Sequence, residues 1–446
     1  MNYLKPFLPL MLFVALFLGI GVYFHLQGVE FAFYQIPAPI AAIPAIILAL
    51  WLSSKRSFED KLAPLVKGMG ESNVITMCLI YLLAGAFSSV VKASGGVESA
   101  VNLGLHFTPD GFLLPALFLI SSLLSLAMGT SMGTISALGP IALGIYEQTG
   151  IDQLALFGAL VGGAMFGDNL SFISDTTIAA TRTQGARMKD KFHQNFKLAL
   201  PAALLTIILL ILVPKTAGQF HAGSYSYPQL LPYAVLLFLA LLGINVFVVL
   251  FAGIICAGLT ASAYLENFTF QYFAKLIFDG FKDMQEIFIL SMMMGGLGQM
   301  MKEEKGIEIL QNGLKRFTQF FGEQSHFKSF FTELSLAISV TLTNLAVANN
   351  TVAILICGDF IREASQKENI SPARSASILD IFSCITQGLI PYGAQILLAS
   401  QLAKINPLDL IRNVTYCYLL ALTVLLNMAF HSVKIKTRRA LKGPPV

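Results

Sequence analysis

Charged side chains are scarce in this sequence. Asp, Glu, Lys and Arg make up only 12% of its 446 residues, about half the roughly 25% usual in soluble domains. So little charge cannot cover a soluble surface of this size. It also excludes a disordered chain and a nucleic-acid binder. Paired cysteines are missing too. Cys78, Cys256, Cys357, Cys384 and Cys417 form no CxxC pair and lie in or beside apolar runs. That argues against disulfides and metal sites and for small packing residues. The histidines form no metal or nucleophile constellation. There is no P-loop, no nucleotide-binding glycine fingerprint and no GxSxG elbow. An enzyme is therefore not expected, no cofactor is implied, and ATP-driven transport by this chain alone is disfavoured.

Apolar sequence is abundant instead, at 55% of residues with a mean hydropathy of +0.71. The spacing of apolar runs predicts an all-α polytopic membrane protein. Spans are expected over 7–24, 37–52, 74–91, 153–181, 198–213, 230–243, 245–261, 284–301, 373–401 and 411–430. The first lacks a clear cleavage site and reads as a retained span. Segments 112–147 and 329–364 are broken midway by small polar residues, so each reads as a re-entrant hairpin or a pair of short spans. Stretches 57–72 and 265–283 are amphipathic and read as interfacial helices. Basic residues, including Lys189, Lys191 and Lys197, fall mostly on one side, so both termini are expected to be cytoplasmic.

The chain also repeats itself. At a shift of 210, Gly70 meets Gly280, Gly85 meets Gly295 and Asn102 meets Asn312. Gly133-Thr134 meets Asn350-Thr351 at a shift of 217, and Leu170–Ser174 meets Leu389–Gly393 at 219. Each half then holds about five spans and one hairpin. An odd number inverts the second half relative to the first, with interrupted helices meeting at the midplane. The expected division is a first repeat over 1–213, an external linker over 214–229, a second repeat over 230–433 and a basic cytoplasmic tail over 434–446.

Four breaks carry the candidate chemistry. The first holds Thr130, Ser131 and Thr134 among glycines that let the chain leave a helix. The second runs from Gly162 to Thr177 and places Asp168 and Asp175 inside an apolar span with Asn169, Ser171 and Thr176. An ionised acid there costs at least about 2.5–3.5 kcal/mol, so it needs a cation or a proton. Carboxylate, hydroxyl and amide oxygens suit a hard cation such as sodium, with Asp168, Asn169 and Asp175 as expected ligands. Alternatively, Asp175 N-caps a half-helix and Asp168 a turn. The third break holds Asn344, Asn349, Asn350 and Thr351, whose amides would be costly if unused. The fourth holds Asp380, which shares a helical face with Ser383, Cys384 and Gln387; it pairs with a polar group of the other half or titrates. Asp168, Asp175 and Asp380 have no basic neighbour in the core sequence.

Gly129–Pro140 and Gly163–Thr177, extending through Ala179-Ala180-Thr181-Arg182, resemble the sodium/proton antiporter family of NhaC type. The resemblance covers nearly the whole chain in length, hydropathy and paired breaks. It implies sodium/proton exchange on Asp168, Asn169, Ser171, Asp175 and Thr176, with Thr130, Ser131 and Thr134 opposite, and no cofactor beyond the transported ions. It also implies a moving transport domain against a scaffold. Similar members carry small organic acids or amino acids, which stands as the alternative function. Expected partners are sodium, protons and the lipid bilayer, with a homodimer and a small carboxylate or amino acid left open, and no nucleic acid.

Overall fold

The computed structural model describes residues 4–27, 29, 35–55, 57–109, 111–172, 174–213, 223–266, 268–306, 308–309, 312–313 and 328–441. Part of the expected linker (214–222) and the end of the basic tail (442–446) lie outside the described residues. The principal helices are α1 (Leu8–Leu26), α2 (Ala38–Leu52), α3 (Phe58–Met69), α4 (Ser72–Ala93), α5 (Gly96–Phe107), α6 (Leu113–Met128), α7 (Ser131–Thr149), α8 (Gln153–Leu170), α9 (Asp175–Gln184) and α10 (Met188–Leu212). They continue as α11 (Leu231–Leu241), α12 (Val246–Tyr264), α13 (Phe270–Glu303), α14 (Lys328–Val347), α15 (Asn350–Lys367), α16 (Pro372–Leu389), α17 (Ala394–Ala403), α18 (Pro407–Asn413) and α19 (Thr415–Leu441). No strand occurs among the described residues.

Among the described residues, seven helical stretches are long and apolar enough to cross a membrane, or eight when the bent pair α18–α19 is joined across its 52° angle. The expected spans 37–52 and 230–243 form apolar helices, α2 and α11, close to their expected bounds but shorter than a full crossing. The chain separates α11 from α12 at Gly243, which adopts φ +71°, and at Asn245, whose side chain caps α12 by accepting from the Phe247 amide. The last expected span, 411–430, is broken near Asn413. One helix, α5, was not anticipated. Ser99 donates to Gln229 at 2.7 Å and Asn102 to the Ser224 carbonyl at 3.0 Å, tying α5 to the chain beyond the linker.

The two amphipathic stretches also differ. The first is the separate helix α3, which ends at Gly70 because the Glu71 carboxylate accepts from the amides of Asn73 and Val74 and starts α4 afresh. The second is no separate helix. The residue 210 positions after Glu71 is Phe281, which has no oxygen to cap a new helix, so α13 runs unbroken from Phe270 to Glu303.

α4 and α13 pack closely along each other. A Cβ built on Gly85 would fall on the carbonyl of Gly280, and one on Gly280 would fall on that of Gly85. Gly68 and Gly295 meet in the same way. Tyr81 and Ser291 meet hydroxyl to hydroxyl at 3.3 Å, and the Cys78 thiol donates to the Phe288 carbonyl at 3.5 Å; both pairs are 210 residues apart. Gly85→Ala is expected to cost about 1–3 kcal/mol, because backbone cannot move aside as a flexible side chain can. A thermal melt of the purified protein checks this; an unchanged midpoint would refute the packing argument.

The two interrupted helices occupy the core. The interrupted stretches Gln153–Gln184 and Pro372–Ala403 are mostly buried, whereas Met188–Leu212 is mostly not. The most polar spans are therefore shielded by protein, as unwound backbone at membrane depth requires. α6 and α7 both pack on α8, and α14 and α15 both pack on α16. The arms also cross over: α7 packs on α17, and α15 on α9.

Candidate ion-binding site

Helix α8 ends at Leu170, and Ser171 is extended. The Ser171 hydroxyl donates to the Leu126 carbonyl at 3.0 Å, and Thr177 donates to the Ser171 carbonyl at 2.9 Å. These bonds satisfy backbone that the break would orphan. Asp168, 3% exposed, stands one turn before the break. Its Oδ1 accepts from Ser174 at 2.5 Å and its Oδ2 from Ser131 at 2.9 Å. Ser174 also contacts the Thr176 hydroxyl at 2.9 Å.

Ser131 starts α7. Gly129, at φ +67°, turns the chain out of α6, and Thr130 caps α7 by accepting from the Gly133 amide. Pro391 and Gly393 divide α16 from α17, whose first turn carries the buried Gln395. The Gln395 amide donates to Ser131 at 3.1 Å. A polar chain thus runs from the second interrupted helix through the first hairpin to Asp168. The buried Gln395 Oε1 has no hydrogen-bond partner among the described residues.

Asp380 has the partner that the sequence reading lacked. Lys191 reaches its Oδ2 at 2.6 Å, with the two side chains 1% and 0% exposed. The same ammonium donates to Thr177 at 2.6 Å and to the Asn169 carbonyl at 3.2 Å. Asn195 donates to the Asn169 carbonyl at 2.8 Å and to Asp380 at 2.7 Å. Asp168 lies within electrostatic reach of both Asp380 and Lys191. Two carboxylates and one ammonium leave this buried cluster one positive charge short.

The other expected residues divide. Asn169 is buried and donates to the Tyr416 hydroxyl at 3.3 Å. Thr134 is buried and donates to the Thr130 carbonyl. Asp175 opens α9 with an exposed side chain and is not among the groups bonded to Asp168. Asn349, Asn350 and Thr351 form the tip of the second hairpin. Asn349 caps α15 by accepting from Val352, and Asn350 accepts from the Thr351 amide. Gln387 donates to the carbonyl of Ala348, a residue held at φ +52°. Asn344 donates to the Ser383 carbonyl at 2.8 Å. The structure therefore gathers Ser131, Asp168, Asn169, Thr176 and Asp380 into one polar core, and places the second hairpin tip against Gln387.

Lys191 and Asn195 were not among the expected site residues, while Ser174 and Gln395 lie in the second and fourth breaks without having been assigned a role. Lys191 was read as one of a run of cytoplasmic charges. A signal was present in the sequence, since Lys191, Asn195, Leu198, Ala199, Ala202 and Thr206 recur at helical spacing and all lie on the buried face of α10.

Residues 3–215 match the model of the Na+/H+ antiporter family. The chain is 25% identical to the Na+/H+ antiporter NhaC of Bacillus subtilis over 394 residues, covering 80% of this chain and 84% of that one. It is 23% identical to NhaC of Alkalihalophilus pseudofirmus over 425 residues, covering 89% of each. It is 30% identical to the malate-2H+/Na+-lactate antiporter of B. subtilis over 207 residues, 46% of this chain and 43% of that one. The family model matches residues 3–215, a little under half of the chain, and the NhaC relatives align with 80–89% of it, so the chain is similar to the Na+/H+ antiporter family along most of its length.

Proposed function

We propose that this protein exchanges sodium for protons across the bacterial cytoplasmic membrane, with Asp168 carrying either cation in turn. The observation that carries this reading is the charge count: the buried Lys191 pairs with Asp380, which leaves the buried Asp168, held by the hydroxyls of Ser131 and Ser174, with no ion pair among the described residues. One sodium ion or one proton on Asp168 makes the cluster neutral.

The surrounding groups suit both cargoes. The hydroxyls of Ser131 and Ser174 donate to the ionised carboxylate. By rotating, each turns a lone pair toward a bound cation, or accepts from a protonated Asp168. Turning over the Gln395 amide would bring its oxygen toward Ser131. Hydroxyl, carboxylate and amide oxygens are the donors a hard cation prefers. Sodium and proton then exclude each other from one carboxylate, and mutual exclusion suffices for coupled exchange.

Inverted halves are part of this proposal. Contacts between residues 210 positions apart, Tyr81 with Ser291 and Cys78 with Phe288, are those expected where two-fold-related segments meet on their axis. The crossed packing of α7 on α17 and α15 on α9 supports the same reading. Both termini would lie in the cytoplasm, as the distribution of basic residues favours.

Competition fixes the sign of the pH dependence. Lowering the pH should raise the sodium concentration for half-maximal rate, by up to about tenfold per pH unit where the proton dominates. The maximal rate at saturating sodium should change little. Sodium-driven pH change in proteoliposomes measures both. A half-maximal concentration independent of pH would remove the shared site.

A second reading is coupled transport of a small carboxylate. It rests on the malate/lactate relative and on the amide-rich second hairpin tip. Labelled-solute uptake decides between them: sodium-stimulated accumulation of an organic acid would demote simple exchange.

A further inference from the structure

The Lys191 ammonium lies in surroundings that resemble a cation site more than an ion pair alone. Its three contacts are a carboxylate oxygen of Asp380, the hydroxyl of Thr177 and the carbonyl of Asn169. These come from α16, from the start of α9 and from the end of α8. The Asn169 carbonyl belongs to the last turn of α8, where carbonyls lack helical partners and the helix presents its negative end. Nearby oxygens exceed what one ammonium can satisfy. Asp380 Oδ1, Asn169 Oδ1 and Asn195 Oδ1 are buried without hydrogen-bond partners among the described residues.

We propose that Lys191 is a tethered cation seated in a second cation site, formed by Asp380, Thr177 and the Asn169 carbonyl, and that it restricts the carrier to one exchangeable sodium. The inference rests on the sodium/proton reading of Asp168. Lys191 cannot leave, so its seat is filled in every cycle. It also braces the break, since it holds the end of α8 and the start of α9 together while Asp380 links both to α16. A purely structural ion pair would give a different outcome on removal: loss of a brace, with no new ion bound.

The test is sodium binding to the purified full-length chain at alkaline pH, by equilibrium dialysis with radiolabelled sodium. Wild type should bind about one ion per chain and Lys191→Ala about two, with the Hill coefficient for sodium-driven exchange rising from about 1 toward 2. Adding Asp380→Asn to Lys191→Ala should return the count to one. Lys191→Gln serves the same purpose if the alanine variant does not fold. Two ions in wild type, or one in folded Lys191→Ala or Lys191→Gln, would overturn the proposal. If neither variant folds even in saturating sodium, the ion does not take the ammonium's seat and the proposal fails. A folded wild type that binds no sodium would instead overturn the exchange reading itself.

Discussion

Asp168→Asn is expected to abolish exchange, lowering sodium-driven proton flux at least about a hundredfold. The amide matches the carboxylate in shape but cannot ionise, so neither cargo has a charge to neutralise. Two charge-assisted hydrogen bonds, from Ser131 and Ser174, become neutral ones, and bonds to charged groups are worth about 1.5–3 kcal/mol each. About 2.8 kcal/mol already corresponds to a hundredfold in affinity. The variant should fold, because one hydroxyl still donates to the amide oxygen and the other can rotate to accept from the amide NH2. Two measurements separate loss of function from loss of fold: sodium flux in proteoliposomes, and the rise in melting temperature that sodium gives wild type. Asp175→Asn is the matched control. Its side chain is exposed at the start of α9, so flux should remain within about threefold of wild type. Equal damage from both substitutions would mean that the cation is held elsewhere than at Asp168.

Arg374→Ala should produce the largest loss of stability. Arg374 makes a forked contact with Glu333, Nε to Oε1 at 3.2 Å and Nη2 to Oε2 at 2.9 Å, and its Nη1 donates to Asn427 at 2.8 Å. The pair is nearly dry, with side chains 8% and 1% exposed. One arginine thus joins α14, α16 and α19. Removing it takes a cation away from a buried carboxylate, and breaking a buried pair in this way costs about 3–5 kcal/mol. Replacing both partners by apolar residues of similar volume, as in Glu333→Leu with Arg374→Met, should cost much less, because no charge is left unpaired. Melting temperatures of the single and double variants test this. A double variant no more stable than Arg374→Ala would show that the fork acts through geometry rather than charge.

Much of this was legible because it is local. The breaks at Gly129-Thr130 and around Ser171 are encoded by a glycine, capping hydroxyls and small residues within a few positions of each other. Asp168 stood out because an acid in an apolar run is expensive wherever its neighbours lie. What failed to show was long-range. Lys191 sits in the run Arg187-Met188-Lys189-Asp190-Lys191, and most charges in such a run are solvated, as Arg187 and Asp190 are. Only its helical phase with the apolar face of α10 marked it as buried. Glu333 is likewise buried against Arg374, a pairing of residues 41 positions apart that no local pattern shows. The merger of 265–283 into α13 was likewise hidden, because it depends on the missing cap at Phe281 rather than on hydropathy.

The pairing of Asp168 with Ser131 has a near counterpart in Gln387 with Ala348. Gln387 lies 219 positions after Asp168, the same offset that aligns the two breaks. Only the first of these pairs can lose a proton. If the halves trade places as the carrier alternates, its two orientations are not mirror images, and the lone carboxylate meets different neighbours in each. Equilibrium across the membrane is indifferent to that, since the ion gradients alone set it. Speed is not. Forward and reverse exchange under equal and opposite gradients should run at unequal rates, so the protein would behave as a rectifier, with its preferred direction built into a single Asp-for-Gln difference.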